Sequence, residues 1–254
     1  MIFYFSATGN SKYVATRLAH ATQDSVCSIT DYLEHRTASY IPAARECIGI
    51  ISPTYSWGLP SIVIEFLSQL CLTNATNPYL YFVATYGTTP GQTGLFANQC
   101  LRRNGYRLSA RFSVPMPDTW TPIFDLSDAG KVHTINQKAE AYIADVITMV
   151  QQRKTGDFMK RKPPYILAHA VYHTAYPLMR RTRRFRVENN CIGCGLCAQK
   201  CPAHAIRMQN KRPVWSKPQC IMCLGCLHRC PNFSIQYGKH TKKHGQYQNP
   251  HVSQ

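Results

Sequence analysis

CIGCGLCAQKCP, residues 191–202, and CIMCLGCLHRCP, residues 220–231, are one run written twice. Each copy reads C-x2-C-x2-C-x3-C-P, and together they hold eight of the chain's twelve cysteines: Cys191, Cys194, Cys197, Cys201, Cys220, Cys223, Cys226 and Cys230. Three thiols at this spacing wrap one corner of a compact polynuclear centre only if the chain coils tightly around it. Pro202 and Pro231 end the coil, because proline lacks an amide hydrogen and fixes its own φ. The fourth thiol is thereby sent away from the first three. Ile192 matches Ile221 and Ile206 matches Ile235, apolar pairs suited to roofing such a centre against water.

Four-cysteine zinc sites also begin with C-x2-C, but they set two such pairs on a longer arm rather than three cysteines in succession closed by Cys-Pro. A disulfide framework belongs to short secreted chains, and MIFYF followed at once by Ser6–Lys12 does not read as a secretory leader. The spacing resembles that of bacterial ferredoxins with two [4Fe-4S] clusters, in which the fourth cysteine of each run ligates the other run's cluster. The resemblance implies one cluster on Cys191, Cys194, Cys197 and Cys230, and a second on Cys220, Cys223, Cys226 and Cys201.

A repeat of about forty residues cannot fill 254, so the first 190 require a second fold. They hold Cys27, Cys47, Cys71 and Cys100, widely scattered and expected as reduced core thiols in a cytoplasmic protein. MIFYF (1–5), SVCSI (25–29), ECIGIIS (46–52), PYLYFVAT (78–85) and YRLSARFSV (106–114) are apolar runs separated by helical patterns. Five strands with intervening helices predict an α/β fold, a five-stranded doubly wound parallel sheet, with a small α+β cluster domain behind it. A helix over Ser127–Lys154 is expected to turn Ala139, Tyr142, Ile143, Val146 and Ile147 inward. The expected division is 1–154 for the α/β domain, 155–186 for a basic amphipathic connector, 187–238 for the cluster domain, and 239–254 for a polar, mobile tail.

In an open α/β sheet the ligand lies beyond the carboxyl ends of the strands, where strand order reverses. Three loops fall there. Ser6-Ala7-Thr8-Gly9-Asn10-Ser11 leads into a helix N-terminus and offers hydroxyls and amides to one phosphate; it matches neither the P-loop nor the dinucleotide glycine pattern. PTYSWGLP brings Thr54, Tyr55, Trp57 and Gly58, and TYGTTPG brings Tyr86, Gly87 and Thr88. Singly, such aromatics read equally well as packing or as a sandwich for a flat ring. Together the loops resemble flavodoxins, a likeness covering about residues 1–150. By that resemblance Ser6, Thr8, Gly9, Asn10 and Ser11 bind the phosphate of FMN, Tyr55, Trp57 and Gly58 lie against its ring, and Tyr86, Gly87 and Thr88 meet its polar edge. The third loop carries no acidic residue. A receiver domain, which shares the strand order, needs aspartates where this chain has Ser6 and Ser52-Pro53. The whole chain resembles flavodoxin-ferredoxin fusion proteins of anaerobic bacteria.

The net charge of +17 is unevenly distributed: residues 151–254 contain 19 Lys and Arg against 2 Asp and Glu. A basic half answers to an acidic redox partner, an anionic membrane face or nucleic acid. No uncharged apolar run is long enough for a spanning helix. The expected function is electron transfer between two [4Fe-4S] clusters and FMN, joining one-electron carriers to flavin chemistry. Two other readings stand beside it. One is an FMN-dependent reductase of a small acceptor fed by the clusters; the other is a basic membrane- or nucleic-acid-binding module using Tyr165–Arg186, although a charge run is usually a solvated face and no nucleic acid partner is expected. No Ser-His-Asp, Cys-His or paired-carboxylate set stands out.

Overall fold

The architecture was read from a computed structural model that describes residues 1–35, 40, 46–72 and 78–252. Its larger sheet has six parallel strands in the order β2 (Val26–Ser28), β1 (Ile2–Tyr4), β3 (Cys47–Pro53), β4 (Tyr79–Tyr86), β5 (Ala110–Pro115) and β6 (Gly156–Asp157). The sixth strand was not expected. It is two residues long, pairs Gly156 with Ala110, and is too short to leave an apolar period. The interior strands β3 and β4 are buried on both faces and therefore read as continuous apolar runs.

Helices α1 (Asn10–Thr22) and α5 (Ala129–Gln151) cover one face, with Val14, Leu18, Ile143 and Val146 packed on Ile51, Val83 and Phe112. Asp128 caps α5, its carboxylate accepting from the Lys131 amide at 2.9 Å. The inward stripe of α5 is Asn136, Ala139, Ile143, Val146 and Val150. Tyr142 is 48% exposed rather than inward, because it lies one step off that stripe.

The opposite face carries α2 (Ile29–Glu34), α3 (Ser61–Gln69) and α4 (Thr93–Arg103). A further helix, α6 (Tyr165–Met179), joins them from the expected connector. Ala168, Tyr172 and Tyr176 are its buried residues, and both tyrosines belong to the core with Phe66 and Phe96. Residues 165–179 are thus structural, placed by spacing of four between inward side chains. Cys27, Cys47 and Cys100 are half-buried, and Cys71 is exposed at the end of α3, where a core thiol had been expected. All the described cysteines are free.

The cysteine-rich half contains β7 (Phe185–Val187) antiparallel to β10 (Ile235–Tyr237), and the hairpin of β8 (Ile206–Gln209) and β9 (Arg212–Trp215). Helices α7 (Leu196–Gln199) and α8 (Gly225–His228) follow equivalent turns: Gly193 and Gly195 have φ of +71° and +77°, Met222 and Leu224 +60° and +53°. The repeat in sequence is a repeat in backbone. Among the described residues no helix is long and apolar enough to cross a membrane.

Residues 239–252 contain helix α9 (Thr241–His244) and a segment packed back on the first loop, in place of the mobile tail expected from their polarity. Tyr247 and Asn249 are buried there. Residues 253 and 254 lie outside the described residues.

Candidate functional site

A cleft of about 350 Å³ opens at the carboxyl ends of β1, β3 and β4, the switch point of the sheet. Ser6, Thr8, Asn10 and Ser11 of the first loop line it, with Thr54, Tyr55 and Trp57 of the second and Tyr86, Gly87 and Thr88 of the third. Gly9 does not reach the lining; at φ +95° it makes the turn into α1 and gives its amide to Ser6 Oγ at 3.1 Å. No side chain caps α1, so its first-turn amides can serve an anion in the loop. This single cradle suits one phosphate. Gly58 is also outside the lining. The Tyr172 ring covers it, 2.3 Å from where a Cβ would stand, so its missing side chain admits α6.

Three further walls complete the cleft, of which the sequence offered only the Pro-rich loop of 115–126, as a lid. Asp118, Thr119, Trp120, Ile123 and Phe124 come from the Pro-rich loop, Val171, Ala175, Tyr176 and Met179 from α6, and Met222, Cys223 and Leu224 from the second cysteine run. Asp118 supplies the acid missing from the third loop. Its carboxylate accepts from the Trp120 amide at 3.1 Å, and it packs so closely that a Cβ on Gly87 would meet it at 2.2 Å. Burial raises the Asp118 pKa above the ordinary carboxylate value, against a smaller opposing effect of the Trp120 amide.

The eight repeat cysteines surround two separate chambers. Cys191, Cys194, Cys197 and Cys230 line one with Ile192 and Ile235; Cys201, Cys220, Cys223 and Cys226 line the other with Ile206 and Ile221. In each, three thiols come from one run and the fourth from the other. No three His, Cys, Asp or Glu side chains among the described residues converge on a single-ion site; the thiols stand around a volume, as a multi-atom centre requires. Amides of Ala205, Met222 and Ser234 point at Cys201, Cys220 and Cys230 sulfur at 3.4, 3.2 and 3.2 Å. Burial pushes the Cys220 thiol up to about 12 and the Cys197 thiol up to about 11, so metal charge is what would make them thiolates. The first chamber is the more open, with Cys194 exposed and Ile192 63% exposed. The second shares Cys223 and Leu224 with the cleft.

Buried hydrogen bonds join the halves. Tyr176 Oη accepts from the Ser61 amide at 3.1 Å and donates to the Ile221 carbonyl at 3.0 Å, tying α3 to the second cysteine run. His228, between Cys226 and Cys230, is 1% exposed. Its Nδ1 accepts from the Tyr247 amide at 3.1 Å, which leaves Nε2 to donate to the Thr119 carbonyl at 3.0 Å. Burial holds its pKa down to about 4, in keeping with a neutral ring. Beyond it, the Asn249 amide donates to the Thr8 carbonyl at 2.8 Å. Asn10 Oδ1 accepts from Tyr247 Oη at 2.7 Å and from Asn249 Nδ2 at 3.2 Å. The Ser6–Ser11 loop is thus held by Tyr247 and Asn249.

Residues 1–143 match the family profile described as a flavodoxin domain, and residues 190–235 that of a 4Fe-4S dicluster domain. An uncharacterized polyferredoxin-like protein of Methanocaldococcus jannaschii is 36% identical over 62 residues, covering 19% of this chain and 37% of that protein. A second uncharacterized protein of the same organism is 34% identical over 55 residues, covering 22% of this chain and 21% of the relative. The chain therefore spans well under half the length of either. Among solved structures, a Streptococcus pneumonia TIGR4 flavodoxin is 18% identical, covering 57% of this chain and 97% of its own, with a TM-score of 0.33. Two-electron reduced Megasphaera elsdenii flavodoxin is 17% identical, covering 46% and 89%, with a TM-score of 0.34. Strand order and the family profile carry the fold.

Proposed function

Because this chain belongs to the flavodoxin domain family, with a 4Fe-4S dicluster domain behind the flavodoxin domain, we propose that it passes electrons between two [4Fe-4S] clusters and FMN. One cluster sits on Cys191, Cys194, Cys197 and Cys230, and the second, next to the flavin, on Cys201, Cys220, Cys223 and Cys226. FMN supplies one- or two-electron chemistry when bound, whereas a cube passes one electron at a time. The chain does the rest. Ser6, Thr8, Asn10 and Ser11 hold the phosphate while Gly9 makes the turn that places them, Tyr55, Trp57 and Tyr86 bound the ring, and Thr54, Gly87 and Thr88 bound its polar edge. Gly58 acts indirectly, by admitting Tyr172 beneath the second loop.

The observation that carries this reading is one wall of the cleft: Met222, Cys223 and Leu224 line the same space as the phosphate loop. A cluster ligand beside the flavin makes the two cofactors neighbours in one chain. Apolar residues around the second chamber keep water from it, and the sulfur-directed amides favour its more negative, reduced form. An acidic redox protein is the partner that suits the basic half.

The test is a visible spectrum of the anaerobically purified chain with iron, sulfide and flavin counted. Two clusters' worth of iron and sulfide and one FMN are expected, and stoichiometric FAD would overturn the flavin assignment. The second reading, a reductase, is favoured by Ile123 and Phe124, which add an apolar wall to the cleft. It requires oxidation of the reduced chain by a small acceptor at a rate that saturates with acceptor concentration.

A further inference from the structure

A second concavity, of about 870 Å³, lies on the cysteine-rich half between β7 and β9 and away from the flavin cleft. Arg181, Arg183, Arg186 and Lys217 line it, and no carboxylate does. Of the two acids of residues 151–254, Asp157 pairs with Lys162 and Arg111 away from the groove, and Glu188 pairs with Lys242 and, at 3.7 Å, with Arg186 of the groove. Arg181, Arg183 and Lys217 of the groove have no ion pair among the described residues, and the groove presents a net positive charge. Its floor is aromatic. Phe185 and Trp215 stack with centroids 4.5 Å apart and planes 5° from parallel, and both also line the chamber of Cys201, Cys220, Cys223 and Cys226. One pair of rings is thus the floor of the groove and the wall of the flavin-side chamber.

We propose that this groove is the docking site of an acidic one-electron carrier protein, and that electrons enter through the Phe185–Trp215 wall directly into the flavin-side cluster. The inference rests on the electron-transfer reading and adds the place of entry. Carboxylates on the carrier meet the arginines, which steers encounter and fixes orientation more than it adds affinity. The carrier loses one electron and the cluster gains one, with no bond made and no proton moved. The more exposed first cluster then lies off the entry route and serves as a store.

The experiment uses the full chain, loaded with iron and flavin, and an acidic bacterial two-cluster ferredoxin as reductant in anaerobic stopped flow. Arg181→Glu/Arg183→Glu is compared with Arg102→Glu/Arg103→Glu, which changes net charge equally at the exposed end of α4. At low salt the groove pair is expected to slow bimolecular reduction at least tenfold and the control pair less than twofold, with the difference vanishing at 0.5 M salt as screening predicts, at roughly 4 Å Debye length. Arg181→Gln/Arg183→Gln gives the same ordering if charge reversal impairs folding. An equal or larger effect of the control pair overturns the proposal, as does a groove variant that loses tripolyphosphate binding while keeping its rate with ferredoxin. A wild-type chain reduced by dithionite but not by ferredoxin overturns the docking site and leaves internal electron transfer standing. Absent iron or flavin removes the underlying reading instead.

Discussion

Removing residues 245–254 should weaken flavin binding, and because Gln246 donates to the Leu227 and Cys230 carbonyls and Gln248 to the His228 carbonyl, iron is counted beside it. Three hydrogen bonds from this segment fix the phosphate loop: Asn249 amide to Thr8, Tyr247 hydroxyl to Asn10, and Asn249 side chain to Asn10. At about 1 kcal/mol for each such bond, the segment contributes roughly 3 kcal/mol to holding the loop. If the whole amount is recovered on binding, the FMN Kd rises by about a hundredfold, since 1.4 kcal/mol is a factor of ten. Asn249→Ala leaves the backbone bond in place and should cost about tenfold or less. Quenching of flavin fluorescence on titration into flavin-free protein reads the constant, and iron per chain reads the clusters. A deletion variant that keeps its iron and binds FMN within twofold of the full chain would show that the loop is preorganised without its strap, and the reasoning would fail.

Asp118→Asn tests the buried acid. A carboxyl whose folded pKa is raised above its unfolded value favours the protonated folded state, so stability is lost as pH rises from the unfolded value through the folded one. The flavin-free Asn variant should therefore melt higher than wild type at pH 7 and no higher at pH 3; a lower melting temperature at pH 7 would count against the assignment. Cys201→Ala should damage the cluster on Cys220, Cys223 and Cys226 while sparing the other, and EPR of the reduced variant showing the opposite loss would refute the cross-ligation. Gly195→Leu should lower the potential of the first cluster by shielding it as Leu224 shields the second, and an unchanged midpoint in a redox titration would remove burial as the cause. The reverse change, Leu224→Gly, should raise the second cluster's potential while relieving about 1–2 kcal/mol of left-handed backbone cost, visible as a higher melting temperature unless lost packing outweighs it.

The parts legible in the sequence were those specified by local spacing. Two Cys-x2-Cys-x2-Cys-x3-Cys-Pro runs predict equivalent loops because each thiol's position depends on its near neighbours, and β3 and β4 are apolar without a break because both faces are covered. The parts that escaped are set by distant partners. Tyr247 and Asn249 sit in a polar segment with no period, and their burial depends on Asn10, 237 and 239 residues away. Asp118 was visible as a residue, but only the path of its loop sets it against Gly87. The stripe Ala168, Tyr172, Tyr176 signalled a helix with an inner face; that Gly58 lies under it follows from packing, which no local pattern records.

The strap also imposes an order on biogenesis. Residues 6–11 leave the ribosome early, and their holders follow some 240 residues later, roughly ten to fifty seconds at ordinary elongation rates. Throughout that interval the nascent flavin pocket lacks its last fastening, and the second cysteine run is complete with Cys230, 17 residues ahead of Tyr247. Cofactor loading would then proceed backwards along the polypeptide, metal in the late half first and flavin in the early half afterwards, so that a chain stalled before Tyr247 would be released pale in flavin although its nucleotide-binding domain had been fully synthesised.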